Sequence, residues 1–238
     1  MSPKNSARVD ARLSPVGQFE LPPPIPGPWR VARDPELALL RARLIELNIP
    51  EFEKLEISAI RLLAVSFHPG YLLCDIALTQ EAEAAGCASL LYGPVGAIPL
   101  RGDAMPIHTL NMFSPPSLGS MEAKVEYLRF FCTFVHGAEG PFTIFDPTTS
   151  FTASKDVHER VAQHLLPNAP PTSERPTESG TELFQTLVHY SSNLFVAGFS
   201  VESDGRIIMR EDTPFADDVT LLPKLVYEGA VRRLAAEP

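Results

Sequence analysis

The chain has 238 residues, 45% of them hydrophobic, enough to bury a full core in a domain of ordinary size. Its formal net charge is −9, with Lys and Arg scattered singly or in pairs and no basic stripe. That balance argues against a nucleic-acid backbone or an anionic membrane surface as partner. Cys74, Cys87 and Cys132 are odd in number, widely spaced and without a CxxC, so neither a disulfide framework nor a structural zinc site is expected. Reduced, buried thiols fit better. The opening stretch MSPKNSARVDARLSPVG lacks the apolar run of a secretory signal, and no apolar run is long enough to span a membrane. A cytoplasmic protein is therefore expected.

Residues 1–30 read as a proline-rich tail. Pro15 and the prolines of ELPPPIPGPW favour extended polyproline II. Such a segment is either a docking peptide anchored by Trp29 or, preferably, a stiff arm lying along its own domain or a dimer partner. A single domain is expected from residue 31 to 238. In RDPELALLRARLIELNIP, Asp34 is a good N-cap, Pro35 suits the first helical position and Pro50 stops the run. Leu37, Leu40, Leu44 and Leu47 make that helix amphipathic.

Residues 55–79 predict a hairpin about His68-Pro69-Gly70, with Leu72, Cys74, Ile76 and Leu78 on one face. CASLLYGPVGAIPL predicts a strand bent or ended near Gly93-Pro94 and Gly96, and MPIHTLNMF predicts another. Ser120 is placed to cap a helix over 121–136. Val125, Leu128, Cys132 and Val135 form its stripe, widened by Tyr127, Phe131 and Phe134, which implies a buried central helix. PFTIFD follows as a short strand. SKDVHERVAQHLLP is a surface helix capped by Ser154, with Val157, Val161 and Leu165 facing inward. Residues 167–181, PNAPPTSERPTESGT, read as a flexible loop.

LFQTLVHYSSNLFVAGFSVESDGRIIMRED predicts three strands in a meander. Its turns are Ser191-Ser192-Asn193 and Ser203-Asp204-Gly205, and Phe195, Ala197, Phe199 and Val201 share one face. LLPKLVYEGAVRRLAAEP predicts a closing helix with Leu225, Val226, Ala230 and Leu234 inward. The fold class expected is α+β: a mainly antiparallel sheet packed on a buried central helix, with flanking amphipathic helices.

Residues able to carry chemistry are few. Cys132 and His136, four apart, would share one face of the central helix about a turn apart. A catalytic thiolate usually sits at a helix N-terminus, whereas Cys132 lies near a C-terminus among phenylalanines, where both dipole and burial raise its pKa. His136 next to Gly137 has a plain role on a last turn. Glu139, between two glycines, and His108, near Asp103 and Asn111, complete the candidate set: Cys132, His136, Glu139 and His108. None is assigned a catalytic role. His68 falls in a turn, His189 on a polar strand face, and His158 and His164 on different helical faces. No metal or cofactor is expected. EDTPFADD, with Asp212, Asp217 and Asp218, lacks the ligand order of a calcium loop. GxSxG, GxxxxGK[ST], HExxH and a correctly spaced Rossmann fingerprint are all absent.

In YLRFFCTFVHGAEGPF and NLFVAGFSVESDGRIIMREDTP the chain resembles an uncharacterised bacterial family; the resemblance implies a bacterial, cytosolic origin and carries no activity and no site residues. The functional expectation is a non-catalytic binding or assembly module that self-associates or holds a protein partner. The alternative is an enzyme or small-ligand protein with a pocket at the end of the 121–136 helix, His136 acting as base and Cys132 as nucleophile. A third reading has LPPPIPGPW dock the protein on a larger machine.

Overall fold

A computed structural model describes residues 19–46, 55–81, 83–165, 172–176 and 182–236. Expectations for residues 1–18, Leu47 and Pro50, and the parts of the 167–181 segment at 167–171 and 177–181, lie outside them.

In chain order come β1 (Arg30–Val31), α1 (Glu36–Glu46), β2 (Glu56–Ala64), β3 (Leu72–Gln80), β4 (Glu83–Gly93), β5 (Gly96–Pro99), α2 (Met105–Phe113) and α3 (Met121–Phe134). There follow β6 (His136–Gly137), β7 (Gly140–Pro141), β8 (Thr143–Ile144), β9 (Phe151–Thr152), α4 (Lys155–His164) and β10 (Thr172–Pro176). The chain closes with β11 (Glu182–Tyr190), β12 (Asn193–Val201), β13 (Ile207–Ala216), β14 (Thr220–Leu221), β15 (Leu225–Glu228) and β16 (Val231–Leu234). The fold is α+β, dominated by antiparallel sheet.

The first sheet has the order β1-β2-β3-β4-β16-β15, with β5 also on β4. Both faces of its centre are covered, which explains why β2 and β3 read as nearly unbroken apolar runs. On one face Ile60, Leu62, Cys74, Ile76, Leu78 and Leu90 pack with Leu40 and Leu44 of α1. On the other, Leu63, Leu73 and Leu91 pack with Ile107 and Leu110 of α2 and Tyr127, Phe130 and Phe134 of α3. The second sheet runs β10-β11-β12-β13, with β8 beside β11. Phe184, Val188, Ala197 and Phe199 meet Leu128 and Cys132 of α3, while Leu187, Leu194 and Ala216 meet Val157, Val161 and Leu165 of α4. Ser120 and Ser154 cap α3 and α4 by accepting from the amides of Ala123 and Val157, as a serine N-cap should.

Across the first sheet Arg61, Asp75 and Ser89 stand in register on β2, β3 and β4. Asp75 accepts from Arg61 Nε (2.8 Å) and Nη2 (2.5 Å), from Ser89 Oγ (2.8 Å) and from Arg232 Nη2 of β16 (2.8 Å). All four residues are buried.

Several elements depart from the sequence-based expectation. MPIHTLNMF is helix α2, not a strand: Pro106 sits in its first turn, where a missing N–H costs nothing, and Ile107, Leu110 and Asn111 recur at helical spacing on the buried side. The chain's end is the β15–β16 hairpin rather than a helix. Gly229 (φ +59°) makes its turn, β16 pairs with β4, and Val226 and Leu234, expected inside, are exposed. The apolar positions 225, 226, 230 and 234 fit a helical stripe, but β4 offers an open edge, and pairing there satisfies the backbone. Part of the presumed loop at 167–181 is strand: Thr172–Pro176 pairs with β11 along Thr172↔Thr186 to Pro176↔Glu182. The strand read in 87–100 as bent or ended near Gly93-Pro94 and Gly96 does end there: β4 stops at Gly93, and a tight turn through Gly96 (φ +113°) returns the chain as β5.

Candidate functional site

The end of α3 is the first place to look for chemistry. The helix stops at Phe134, Val135 is extended, and His136 belongs to β6, its amide donating to the Gly102 carbonyl at 2.9 Å. The expectation of a helix to 136 with Gly137 as its C′ residue is thus corrected, because a β-bridge between Val135 and Gly102 captures the chain first. Cys132 and His136 therefore do not share a helical face. Cys132 is 3% exposed, among Leu128, Ile144, Phe184 and Phe199. His136 instead packs edge-on to the ring of Tyr227, centroids 4.8 Å apart, and over Gly102, where an added Cβ would lie 2.7 Å from its Nδ1. Burial holds the His136 pKa below its ordinary value, partly opposed by a hydrogen bond with the Thr133 backbone.

Glu139 is exposed, and its amide donates to Tyr190 Oη at 3.0 Å; Tyr190 also stacks on Phe142. His108 lies on α2, its ring 5.6 Å from that of Phe131. No hydrogen bond, ion pair or ring contact joins any two of the four candidates, although His136 and Glu139 share the β6–β7 hairpin. Burial pushes the Cys132 thiol up to about 12, and Cys74 and Cys87 likewise to about 12. At pH 8 such a thiol is ionised only to about one part in 10⁴. We expect all three cysteines to ignore a thiol-disulfide reagent in the folded protein and to react on unfolding. A Cys132 that reacts in the native state at the rate of a free cysteine would restore the nucleophile role.

His68 lies in the β2–β3 turn, as expected, and is buried there; His189, read on a polar strand face, is buried on β11 with Nε2 3.0 Å from the Val219 carbonyl oxygen. Desolvation lowers both pKa values. His68 starts a chain of hydrogen bonds: His68 Nε2 lies 3.1 Å from Asn111 Oδ1, Asn111 Nδ2 donates to Tyr127 Oη (2.8 Å), and Tyr127 Oη donates to the Gly205 carbonyl (2.7 Å). Gly205 has φ +81°, and a Cβ there would come within 2.3 Å of Asn111 Nδ2, so this turn tolerates only glycine. The network joins the β2–β3 turn, α2, α3 and the β12–β13 turn.

That network fixes α2 from within while its outer face stays open. Met105, Met112 and Phe113, at i, i+7 and i+8, are 65%, 79% and 77% exposed. Methionine is unbranched and polarizable and fits irregular apolar partners, so a rigidly seated helix with Met and Phe outward is a surface suited to docking. Sequence reasoning missed it by reading α2 as a strand; the proline at its first turn was the available signal.

The opposite treatment is seen at β13, the open edge of the second sheet. Arg210, Glu211 and Asp212, a bulge between Gly198 and Phe199 of its neighbour, and Pro214 blunt that edge against pairing. Asp212, Asp217 and Asp218 are exposed, and among the described residues no group of three or more His, Cys, Asp or Glu is placed to hold a metal. Among the same residues no helix is long and apolar enough to cross a membrane. Compared with known proteins, the chain matches no family model, no curated protein and no solved structure.

Proposed function

We propose that this protein is a non-catalytic, cytosolic binding module that holds a protein partner, rather than nucleic acid or membrane, against the outer face of α2. The observation that carries the reading is the exposed Met105–Met112–Phe113 face on a helix whose inner side is locked by Asn111 and Tyr127. Apolar side chains so exposed and so grouped lose water when a partner covers them, and flexible methionines tolerate the fit. The packing of Tyr127, Phe130 and Phe134 on one sheet, and of Leu128 and Cys132 on the other, supports reading α3 as the central helix on which this surface is mounted. Chemistry at the end of α3 has no comparable support, since Cys132 is sealed in the core and His136 faces Tyr227.

The test is photocrosslinking in the cells that make the protein. Met112→p-benzoylphenylalanine is expected to give a discrete adduct with one protein, and Glu159→p-benzoylphenylalanine, on the exposed side of α4, to give none. Phe113→Ser introduced beside the probe should remove most of the adduct without shifting the melting temperature, because exposed substitutions cost within about 0.5 kcal/mol. No adduct at position 112, or the same adducts at both positions, would sink the reading.

A further inference from the structure

The first sheet ends at β15, which among the described residues pairs with β16 on one side and with no strand on the other. Its four residues run in unbroken register with β16, without the bulge that blunts β13. The hydrogen-bond alternation of this hairpin fixes which backbone groups face outward. Ala235 N–H donates to the Lys224 carbonyl at 2.9 Å, so Lys224 turns its backbone toward β16. In an antiparallel ladder every second residue does the same, hence Val226 and Glu228 do too. Leu225 and Tyr227 therefore point their N–H and C=O groups away from β16, to the side where no strand receives them.

The side chains along this edge are self-complementary. Lys224, Val226 and Glu228 are exposed on one face. Leu225 and Tyr227 are half-buried on the other, Leu225 on the cluster of Leu21 and Cys87 and Tyr227 against the His136 ring. Two copies of the strand laid antiparallel about a two-fold axis at Val226 set Lys224 of each opposite Glu228 of the other. Val226 meets its own counterpart at the centre. Leu225 faces Tyr227 of the other copy, and the two exchange both N–H···O=C bonds in each half of the ladder. Residues 224, 226 and 228 then fall on the non-hydrogen-bonded sites, where facing side chains are closest. Glu228 Oε2 already meets Arg233 Nη1 at 3.2 Å, and Oε1 is the oxygen turned to the lysine of the other copy.

The register cannot slip without loss. Centred on Leu225, it sets Pro223, which has no N–H, opposite Tyr227; centred on Tyr227, it runs Leu225 into the turn at Gly229 (φ +59°) and Glu228 against Val226. A lysine on an edge strand ordinarily guards against pairing, but here the second copy brings a carboxylate to it.

We infer that β15 is a homodimer interface, the edge strands of two copies pairing antiparallel about Val226 and joining their first sheets into one. It uses no residue of the α2 face and stands or falls apart from the function proposed there.

The experiment is sedimentation equilibrium on the full chain over a concentration series. The wild-type chain is expected to form a weak dimer, half associated at roughly 100 µM, in keeping with a small interface. Lys224→Glu and Glu228→Lys each set like charges opposite one another, and each should weaken self-association about tenfold. An equimolar mixture of the two variants should dimerise about as well as wild type, because every charge in the mixed pair again meets its opposite. Val226→Cys gives a second readout: facing Cα atoms at the centre of the ladder lie about 4.5 Å apart, so mild oxidation should link two chains, whereas Lys224→Cys should not link them. Thermal melts establish that each variant is folded, and the Val226→Cys link decides if a charge variant is not. A wild-type chain still monomeric at about ten times that concentration overturns the inference. So does a dimer that neither charge variant weakens and Val226→Cys does not link.

Discussion

Asp75→Asn is expected to cost about 3–5 kcal/mol of folding stability, the range for removing one member of a buried ion pair. Asp75 is fully buried and is the shared acceptor for Arg61 and Arg232, both buried as well. An amide of the same shape keeps the packing but leaves two guanidinium groups without a counter-charge inside the sheet. It also returns a single acceptor oxygen where four donor contacts now converge. Urea unfolding checks the figure through a lower midpoint at unchanged slope. The companion variant Arg61→Met/Asp75→Leu/Arg232→Met should recover most of the loss, because removing all three charges removes the desolvation cost with them. If Asp75→Asn proves nearly neutral, water reaches these groups and the cluster is not a dry one. The Pro22 carbonyl loses its donor in the triple variant, so that chain should also hold residues 19–29 more loosely.

Phe130→Ala should destabilise by about 3–5 kcal/mol, as large-to-small changes at fully buried aromatic positions do. The ring of Phe130 lies 5.0 Å from that of Phe67 and 5.2 Å from that of Phe134, within the cluster that joins the first sheet to α2 and α3. The neighbours come from three separate elements and cannot collapse together into the void, which places the cost toward the upper end. Phe131→Ala on the same helix is the matched control. Phe131 is only partly buried, and its loss should cost clearly less. Equal midpoints for the two variants would mean that the cluster is loosely packed.

Local chemistry foretold the elements whose signals agree with one another. The β2–β3 hairpin, the meander β11–β13 and the serine-capped helices α3 and α4 each combine a clear period with a turn or cap residue in the right place. Where the period alone spoke, it misled. In MPIHTLNMF the proline breaks a strand but is neutral at a helix start, so it fits the helix that forms. In residues 221–236 a helical stripe was present, yet the backbone took the edge of β4. The candidate site fared similarly. That Cys132 is an apolar core thiol follows from its phenylalanine neighbours, whereas the separation of His136 from it does not, because Gly102, distant in sequence, ends the helix by pairing with Val135.

What the amino-acid sequence by itself determined is the class of molecule: an α+β chain with an acidic surface, unpaired cysteines and no local catalytic motif. Those properties are sums and short-range patterns, and composition and neighbouring residues suffice for them. Only the tertiary structure decided that Arg61, Asp75 and Arg232 meet inside one sheet, that residues 19–29 lie over them, and that α2 turns its methionines outward. Those are outcomes of strand order and of which edge was left open, and such contacts join residues far apart in the chain, as Asp75 and Arg232 show, beyond the reach of any periodicity.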